Sequence, residues 1–480
     1  MVRRSSGIAR TGSGARVAAR VATLVLALAA VAGGGGGRDV DALMAQARTA
    51  IEKKQPDAAR ISLKNVLQQK PEHAEARFLL GQLLLEAGDA PGAEVELRRA
   101  LEQQHPPAKV LPLLASALVL QGKGAALLQQ YGGTRLDNAD ADARLQIALA
   151  TAEASGGSLP AAITRVEGLL RNRPDDPAAA LLRARLTAAN GQGADALAQV
   201  EQLLARDAKN AEAWHLKGDL LRQQASLAGA KAGALPGDKP ATKLGASPAA
   251  DAYREVLKLR PDHVPVLAAL VGMLLADGDV AGAETQWKAM QTAAPKHPQT
   301  MLFEAVLAGK RGDFKRAREL TQQLVAALPD NPQVLMVAGE AEMQLGNLQQ
   351  AELHFAKVLQ RTPGNAALRQ QLATAQMRSG QSDKALATLA PLLDGSGATV
   401  EALTMAAQAH LLKGDAAAAD ASLARAAKLK PDDQRVRLAM ALSSVSKGKG
   451  AAAVAELRAV AAADKGTTAD LALIEVLQRA

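Results

Sequence analysis

No cysteine occurs among the 480 residues, and only eight aromatic side chains do: two Trp, two Tyr and four Phe. The first absence excludes disulfides, thiolate metal centres and a cysteine nucleophile. The second leaves too few rings for the stacking platforms that bind single-stranded nucleic acid or sugar faces. Long apolar runs are missing too. Val21–Ala29 falls short of the roughly 20 residues that span a bilayer, and nothing later approaches that length. An excess of one charge is also slight. The formal balance is +9, from 57 Lys and Arg against 48 Asp and Glu. Five of the basic residues, Arg3, Arg4, Arg10, Arg16 and Arg20, precede Gly33 with no acidic residue among them; beyond them 52 face 48, a balance of +4. Both signs share helices, as at Glu94, Glu96, Arg98, Arg99 and Glu102, which reads as a solvated face. With no basic run interleaved with rings, nucleic acid is not an expected partner.

Catalytic and metal-binding patterns are equally scarce. His73, His263 and His297 each follow a proline by two residues and read as junction residues, while His105, His215, His354 and His410 stand singly. No HxxxH pair is present, so neither a metal cluster nor a histidine-based catalytic group is expected. Gly122-Lys123, Gly309-Lys310 and Gly448-Lys449 lack the Ser or Thr and the glycine spacing of a phosphate loop. We expect no catalytic residue, no cofactor and no metal, and hence no enzyme.

What is present is a period. Gly278, Gly312, Gly346, Gly380, Gly414 and Gly448 step by 34 residues, as do Ala283, Ala317, Ala351, Ala385, Ala419 and Ala453. Pro261, Pro295, Pro329, Pro363 and Pro431 keep the same phase, with Gly397 in place of one proline. One supersecondary unit is reused. Glycine takes the left-handed conformation that ends a first helix. Alanine five residues on permits a close helix crossing, and proline closes a second helix. In the first half Ala59 and Ala93, then Ala162 and Ala196, are one period apart. The 69 residues from Ala93 to Ala162 imply a weaker repeat near 109–137, and the 53 from Ala196 to Ala249 an insertion at 225–248.

The unit Glu75–Pro106, with Leu80-Gly81, Leu84, Gly88-Asp89, Ala93, Leu97 and Ala100, resembles a tetratricopeptide repeat (TPR). Trp214 with Gly218, and Tyr253 and Phe355, fall on that family's large-residue positions. The resemblance implies an all-α fold: a right-handed superhelical TPR solenoid of about twelve helix-turn-helix repeats with a C-terminal capping helix. A narrower likeness lies in Ala58-Ala59-Arg60-Ile61-Ser62-Leu63-Lys64-Asn65-Val66-Leu67 ahead of Glu75-Ala76-Arg77-Phe78-Leu79-Leu80-Gly81. These segments resemble the PEP-CTERM/exosortase-system TPR-repeat lipoproteins of the PrsT type. That likeness implies an envelope protein of Gram-negative bacteria tied to exopolysaccharide production and exosortase-dependent sorting of surface proteins.

The basic start, the apolar run and Ala30-Val31-Ala32 form a secretory signal pattern over residues 1–32. A periplasmic or envelope location is therefore expected. The family's lipid-bearing cysteine has no counterpart near Val31 to Gly33, which leaves membrane anchoring in doubt. The expected order is a signal at 1–32, a Gly-rich linker at 33–39, repeats at 40–224 and a flexible Ala/Gly/Lys/Pro insertion at 225–248. Regular repeats at 249–465 and a capping helix at 467–480 follow. A solenoid of this kind turns its first helices toward a groove. In the regular half the inward positions are Leu302 and Val306, then Met336, Glu340 and Met343, then Gln370, Thr374 and Met377, then Thr404, Gln408 and Leu411. Methionines and amides there suit segments of partner proteins. The family resemblance implies exopolysaccharide machinery or the surface-protein sorting system as the partner class, with direct polysaccharide binding as the alternative.

Overall fold

The turn between paired helices follows from two adjacent residues. At Gly88-Asp89 the first helix ends with the glycine at φ +81°, and the Asp89 amide donates back to Leu84 O at 2.8 Å. This closure satisfies carbonyls that the helix end would leave bare. Asp89 Oδ1 then accepts the Gly92 amide at 2.9 Å and caps the second helix. The same pair recurs at Gly278-Asp279, Gly312-Asp313 and Gly414-Asp415. Nine glycines hold φ between +69° and +85° among the described residues. Lys54 occupies the equivalent place in the first repeat at φ +53°. A Cβ added at Gly346 meets no atom within 4 Å, so Gly346→Val is opposed by backbone conformation alone. We expect a loss of about 1–2 kcal/mol; an unchanged denaturation midpoint would show that this glycine does not set the turn.

In the computed structural model the described residues are 39–231, 243–394, 398–446, 450–463 and 474. They form 24 α-helices and two 3-10 turns, with no strand. The helices pair in order, odd-numbered first and even-numbered second: α1 (Val40–Glu52), α2 (Pro56–Gln69), α3 (Ala74–Glu86), α4 (Ala90–Glu102), α5 (Pro107–Leu120), α6 (Gly124–Tyr131), α7 (Ala139–Ser155), α8 (Leu159–Asn172), α9 (Pro177–Ala189), α10 (Gly193–Arg206), α11 (Ala211–Lys231) and α12 (Pro248–Leu259). They continue as α13 (Val264–Ala276), α14 (Val280–Ala293), α15 (Pro298–Lys310), α16 (Phe314–Ala327), α17 (Pro332–Gln344), α18 (Leu348–Arg361), α19 (Ala366–Arg378), α20 (Ser382–Leu389), α21 (Val400–Leu412), α22 (Ala416–Leu429), α23 (Gln434–Ser446) and α24 (Gly450–Ala463). These are the twelve pairs expected. The chain divides into two units, one ending at Ala208 with α1–α10 and one starting at Lys209 with α11–α24. Within each unit, helices pack substantially only on the next or next-but-one helix.

Second helices stop where proline follows. Lys70, Arg173, Arg260 and Ala294, each just before a proline, have left the helical region, with φ between −134° and −148°. The periodic alanines are the crossing points: Ala59, Ala93, Ala162, Ala196, Ala283, Ala317, Ala351, Ala385 and Ala419 are at most 1% exposed. Beside them, a glycine on the first helix receives a large side chain from the second. A Cβ at Gly81 would lie 2.7 Å from Leu97, one at Gly218 2.5 Å from Tyr253, and one at Gly339 2.5 Å from Phe355.

Several positions depart from the expected pattern. The weak repeat keeps a full first helix, α5, but α6 has only 8 residues before Gly132-Gly133. α20 is equally short and runs into a 3-10 turn, Ala390–Leu392, that contains Pro391. The segment expected as a flexible insertion begins inside a helix: residues 225–231 are not loop. They extend α11 to 21 residues, against 13 in most first helices. Its far end is held as well. Asp277 accepts the amides of Leu244 (2.8 Å) and Gly245 (2.6 Å), Arg254 donates to Gly245 O, and Pro248 is already the first residue of α12. Residues 232–242, the signal and linker up to 38, Gly397, Gly448 and the capping segment apart from Ile474 lie outside the described residues.

Candidate functional site: two clefts on the first helices

In the first unit a cleft of about 450 Å³ opens across α3, α5 and α7. Phe78 and Gln82 line it from α3, Ala108, Lys109, Pro112 and Leu113 from α5, and Asp140, Ala141 and Arg144 from α7, with the capping residues Pro106 and Asn138 between. Phe78 stacks on His105, with ring centroids 4.6 Å apart and 18° between the planes. Burial first, and then the positive charge of Lys109, hold the His105 imidazolium below its ordinary range. Asp140 is taken by Arg173 at 2.7 Å.

The second unit has a cleft of about 410 Å³ across α11, α13 and α15. Its floor is Pro265, Ala268, Ala269, Gly272 and Met273, and its walls are Leu244, Arg222 and Gln299. Leu244 is there because Asp277 fixes the end of the insertion. Arg222 lies 3.7 Å from Asp219. Asp219 also accepts the Tyr253 hydroxyl at 2.6 Å, and burial followed by that carboxylate pushes the phenol well up.

Three junction histidines turn out to be helix caps. His73 Nδ1 accepts the Ala76 amide at 3.2 Å, His297 Nδ1 the Gln299 amide at 3.2 Å, and His263 Nδ1 the Val266 amide at 3.4 Å. His263 also meets His215 edge-on, with centroids 5.0 Å apart. Burial, and next the charge of His215, hold His263 below the usual 6.5, against a smaller opposing pull from Glu212. A depressed histidine pKa means that the unfolded chain takes up the proton first. The stability that neutral His263 contributes is therefore complete above about pH 6.5 and is lost as pH falls through the folded value. His263→Asn retains a capping acceptor without a titrating ring and should flatten the acid side of the melting profile; an unaltered acid slope would remove His263 as its source.

Of the eleven groove positions expected from the sequence, two are corrected to core. Leu302 packs with Leu324 and Val334, and Met343 with Leu335, Phe355 and Leu372; each is 8% exposed because the following first helix covers it. Glu340 and Gln408 are exposed. Val306, Met336, Gln370, Thr374, Met377, Thr404 and Leu411 are half-buried. Met336, Met377 and Leu411 rest against core clusters, while the hydroxyls of Thr374 and Thr404 are spent on helix carbonyls. None of the eleven lines either cleft. Phe78 holds the repeat position of Leu302 but lies outside the regular half to which the reading was confined, and Lys109 and Arg144 stand three residues ahead of that position in their own repeats. Among the described residues no three His, Asp or Glu are arranged to hold a metal, and no helix is long and apolar enough to cross a membrane.

Three family models described as tetratricopeptide repeat match the chain, at residues 50–117 and 342–409, at 304–366 and at 400–433. The repeats within these spans are tetratricopeptide repeats. Among solved structures this chain is similar to one titled as the APC/C hetero-tetramer Cut9-Hcn1, with 16% identity, 95% of this chain and 98% of that chain covered, and a TM-score of 0.43. It is also similar to a tetratricopeptide repeat protein from Parabacteroides merdae (13% identity, 55% and 97% covered, TM-score 0.39). A third is PilW, titled a type IV pilus biogenesis factor (18% identity, 46% and 94% covered, TM-score 0.37). No curated protein matches the sequence. TPR proteins in general mediate protein–protein interactions.

Proposed function

We propose that this TPR chain is a non-catalytic scaffold of the bacterial envelope that holds segments of partner proteins in the clefts of its first helices. The observation that carries the reading is the pair of open clefts lined by Ala, Pro, Gly, Leu and Phe, each large enough for several side chains. Small residues on the floor let a partner backbone approach, and the apolar part of each lining rewards its burial. The signal pattern at 1–32 supports export, and the likeness around Ala58–Gly81 supports exopolysaccharide export or exosortase-dependent sorting as the setting.

The test is affinity purification of the tagged chain from its own host's envelope after mild crosslinking, beside a tag-only control. A second bait carries Gly272→Gln and Ala108→Gln. A Cβ at Gly272 meets nothing within 4 Å, so the glutamine enters the second cleft without straining the helix. Recovery of polymer-export or sorting components by the natural chain, with their loss from the blocked one, is the expected outcome. Equal recovery by both would dismiss the clefts, and recovery of the bait alone would dismiss the scaffold.

A further inference from the structure

The two clefts differ in what their charges are doing. In the second unit the cleft's one charged wall residue, Arg222, already has Asp219 beside it at 3.7 Å. In the first unit the one carboxylate in the cleft lining, Asp140, is engaged by Arg173 at 2.7 Å, and on the neighbouring α3 Glu75 is held by Arg48 at 2.7 Å and Glu86 by the Gln82 amide at 2.9 Å. The side chains of Lys109 and Arg144 are exposed and make no ion pair or hydrogen bond with any described residue. Asn138 uses its carbonyl oxygen to cap α7 through Ala141 N at 2.9 Å, and its amide nitrogen has no partner there. Two cations and an amide donor thus border a shelf formed by Phe78, Pro112 and Leu113, and the stack on His105 holds Phe78 in place.

We infer that the cleft of the first unit takes an acidic segment of a partner protein, seating a large apolar side chain on Phe78, Pro112 and Leu113 and an adjacent Asp or Glu between Lys109 and Arg144. This rests on the scaffold reading above and narrows it. A carboxylate accepts from both cations without breaking any existing pair, and charge-assisted bonds of that kind are the stronger ones. A basic segment would meet two positive charges with no free carboxylate in the cleft lining to receive it, which is how such a surface rejects wrong partners. The second cleft, where Arg222 is already partnered, carries no comparable preference.

The experiment selects a phage-displayed random dodecapeptide library on the full chain and on a Lys109→Glu/Arg144→Glu variant. Both replaced side chains are exposed and unpaired, so the variant should keep its helical circular dichroism and its melting profile. Peptides with an acidic residue next to a large apolar one should be enriched on the natural chain and absent from the variant's pool. A fluorescein-labelled copy of the most enriched peptide should bind the variant on the order of tenfold more weakly, and should bind the natural chain less tightly as salt rises. Enriched peptides without an acidic residue, or acidic peptides that bind both chains equally, would overturn the inference. If those peptides are neutral and Gly272→Gln abolishes their binding, the scaffold reading stands without this one. Enrichment of nothing on either chain ends both.

Discussion

Phe355→Ala should destabilise the second unit by about 3–5 kcal/mol, the range for emptying a large aromatic side chain from a closed core. Phe355 is 1% exposed and lies against Gly339, whose missing side chain is the space that the ring occupies. Leu335, Met343, Ala351, Val358, Leu368 and Leu372 complete the wall, so the cavity would open among residues of three consecutive helices, α17, α18 and α19. Its neighbours sit on helices pinned by glycine turns at Gly346 and Gly380, which limits collapse into the void. Because repeats unfold in blocks, the loss is best read locally. Amide hydrogen exchange over α17–α19 should accelerate far more than over α13 and α14. Uniform acceleration across the unit would show that the seven pairs act as one cooperative block, and no acceleration would displace Phe355 from the core.

The second large effect concerns a charge. Arg77 is a buried residue of α3, yet every nitrogen of its guanidinium donates: Nη1 to Glu96 at 2.6 Å, and Nε and Nη2 to Pro71 O at 3.0 and 2.8 Å. The side chains of Arg77 and Glu96 are 11% and 15% exposed. Glu96→Ala strands the cation, and a stranded buried charge costs about 3 kcal/mol or more. Replacing both, as Arg77→Met with Glu96→Leu, should recover most of that loss, because an apolar pair of similar volume has no desolvation to offset. Denaturation of Arg77→Met, Glu96→Leu and the double variant forms a cycle. If the losses of the singles simply add in the double, the ion pair is not what holds this position.

The same device recurs, which explains why it was hard to read from the chain. Arg369 donates to Pro363 O and Thr388 O, and Arg437 to Glu456, each from the repeat position where Trp214, Leu267 and Leu335 place apolar groups. In sequence an arginine there reads as surface, and only the partner 19 residues on shows that it reaches across to the second helix, buried at Arg77 and half-buried at Arg369 and Arg437. The backbone plan was legible because glycine, alanine and proline act through local geometry. A left-handed turn, a close crossing and a lost amide each need only one residue type at one position. The groove was not. Whether Leu302 or Met343 meets solvent depends on how far the next pair of helices overlaps it, which is set by the sum of side chains between them. The extension of α11 to Lys231 was hidden for another reason: Ala225, Leu227, Ala228 and Ala230 favour helix, but the expected boundary followed the Gly and Pro beyond them.

The confinement of packing to nearest and next-nearest helices bears on how the chain acquires its structure. Among the described residues the substantial helix packing in either unit does not have to wait for distant parts of the polypeptide to meet, so the entropy of closing a long loop is a small obstacle. Chains dominated by such near-sequence contacts reach the native state quickly. Each helical hairpin has its partner surface as soon as the following 34 residues exist. An apolar face is therefore left uncovered only at the growing end, and the interval in which it could stick to another molecule is short.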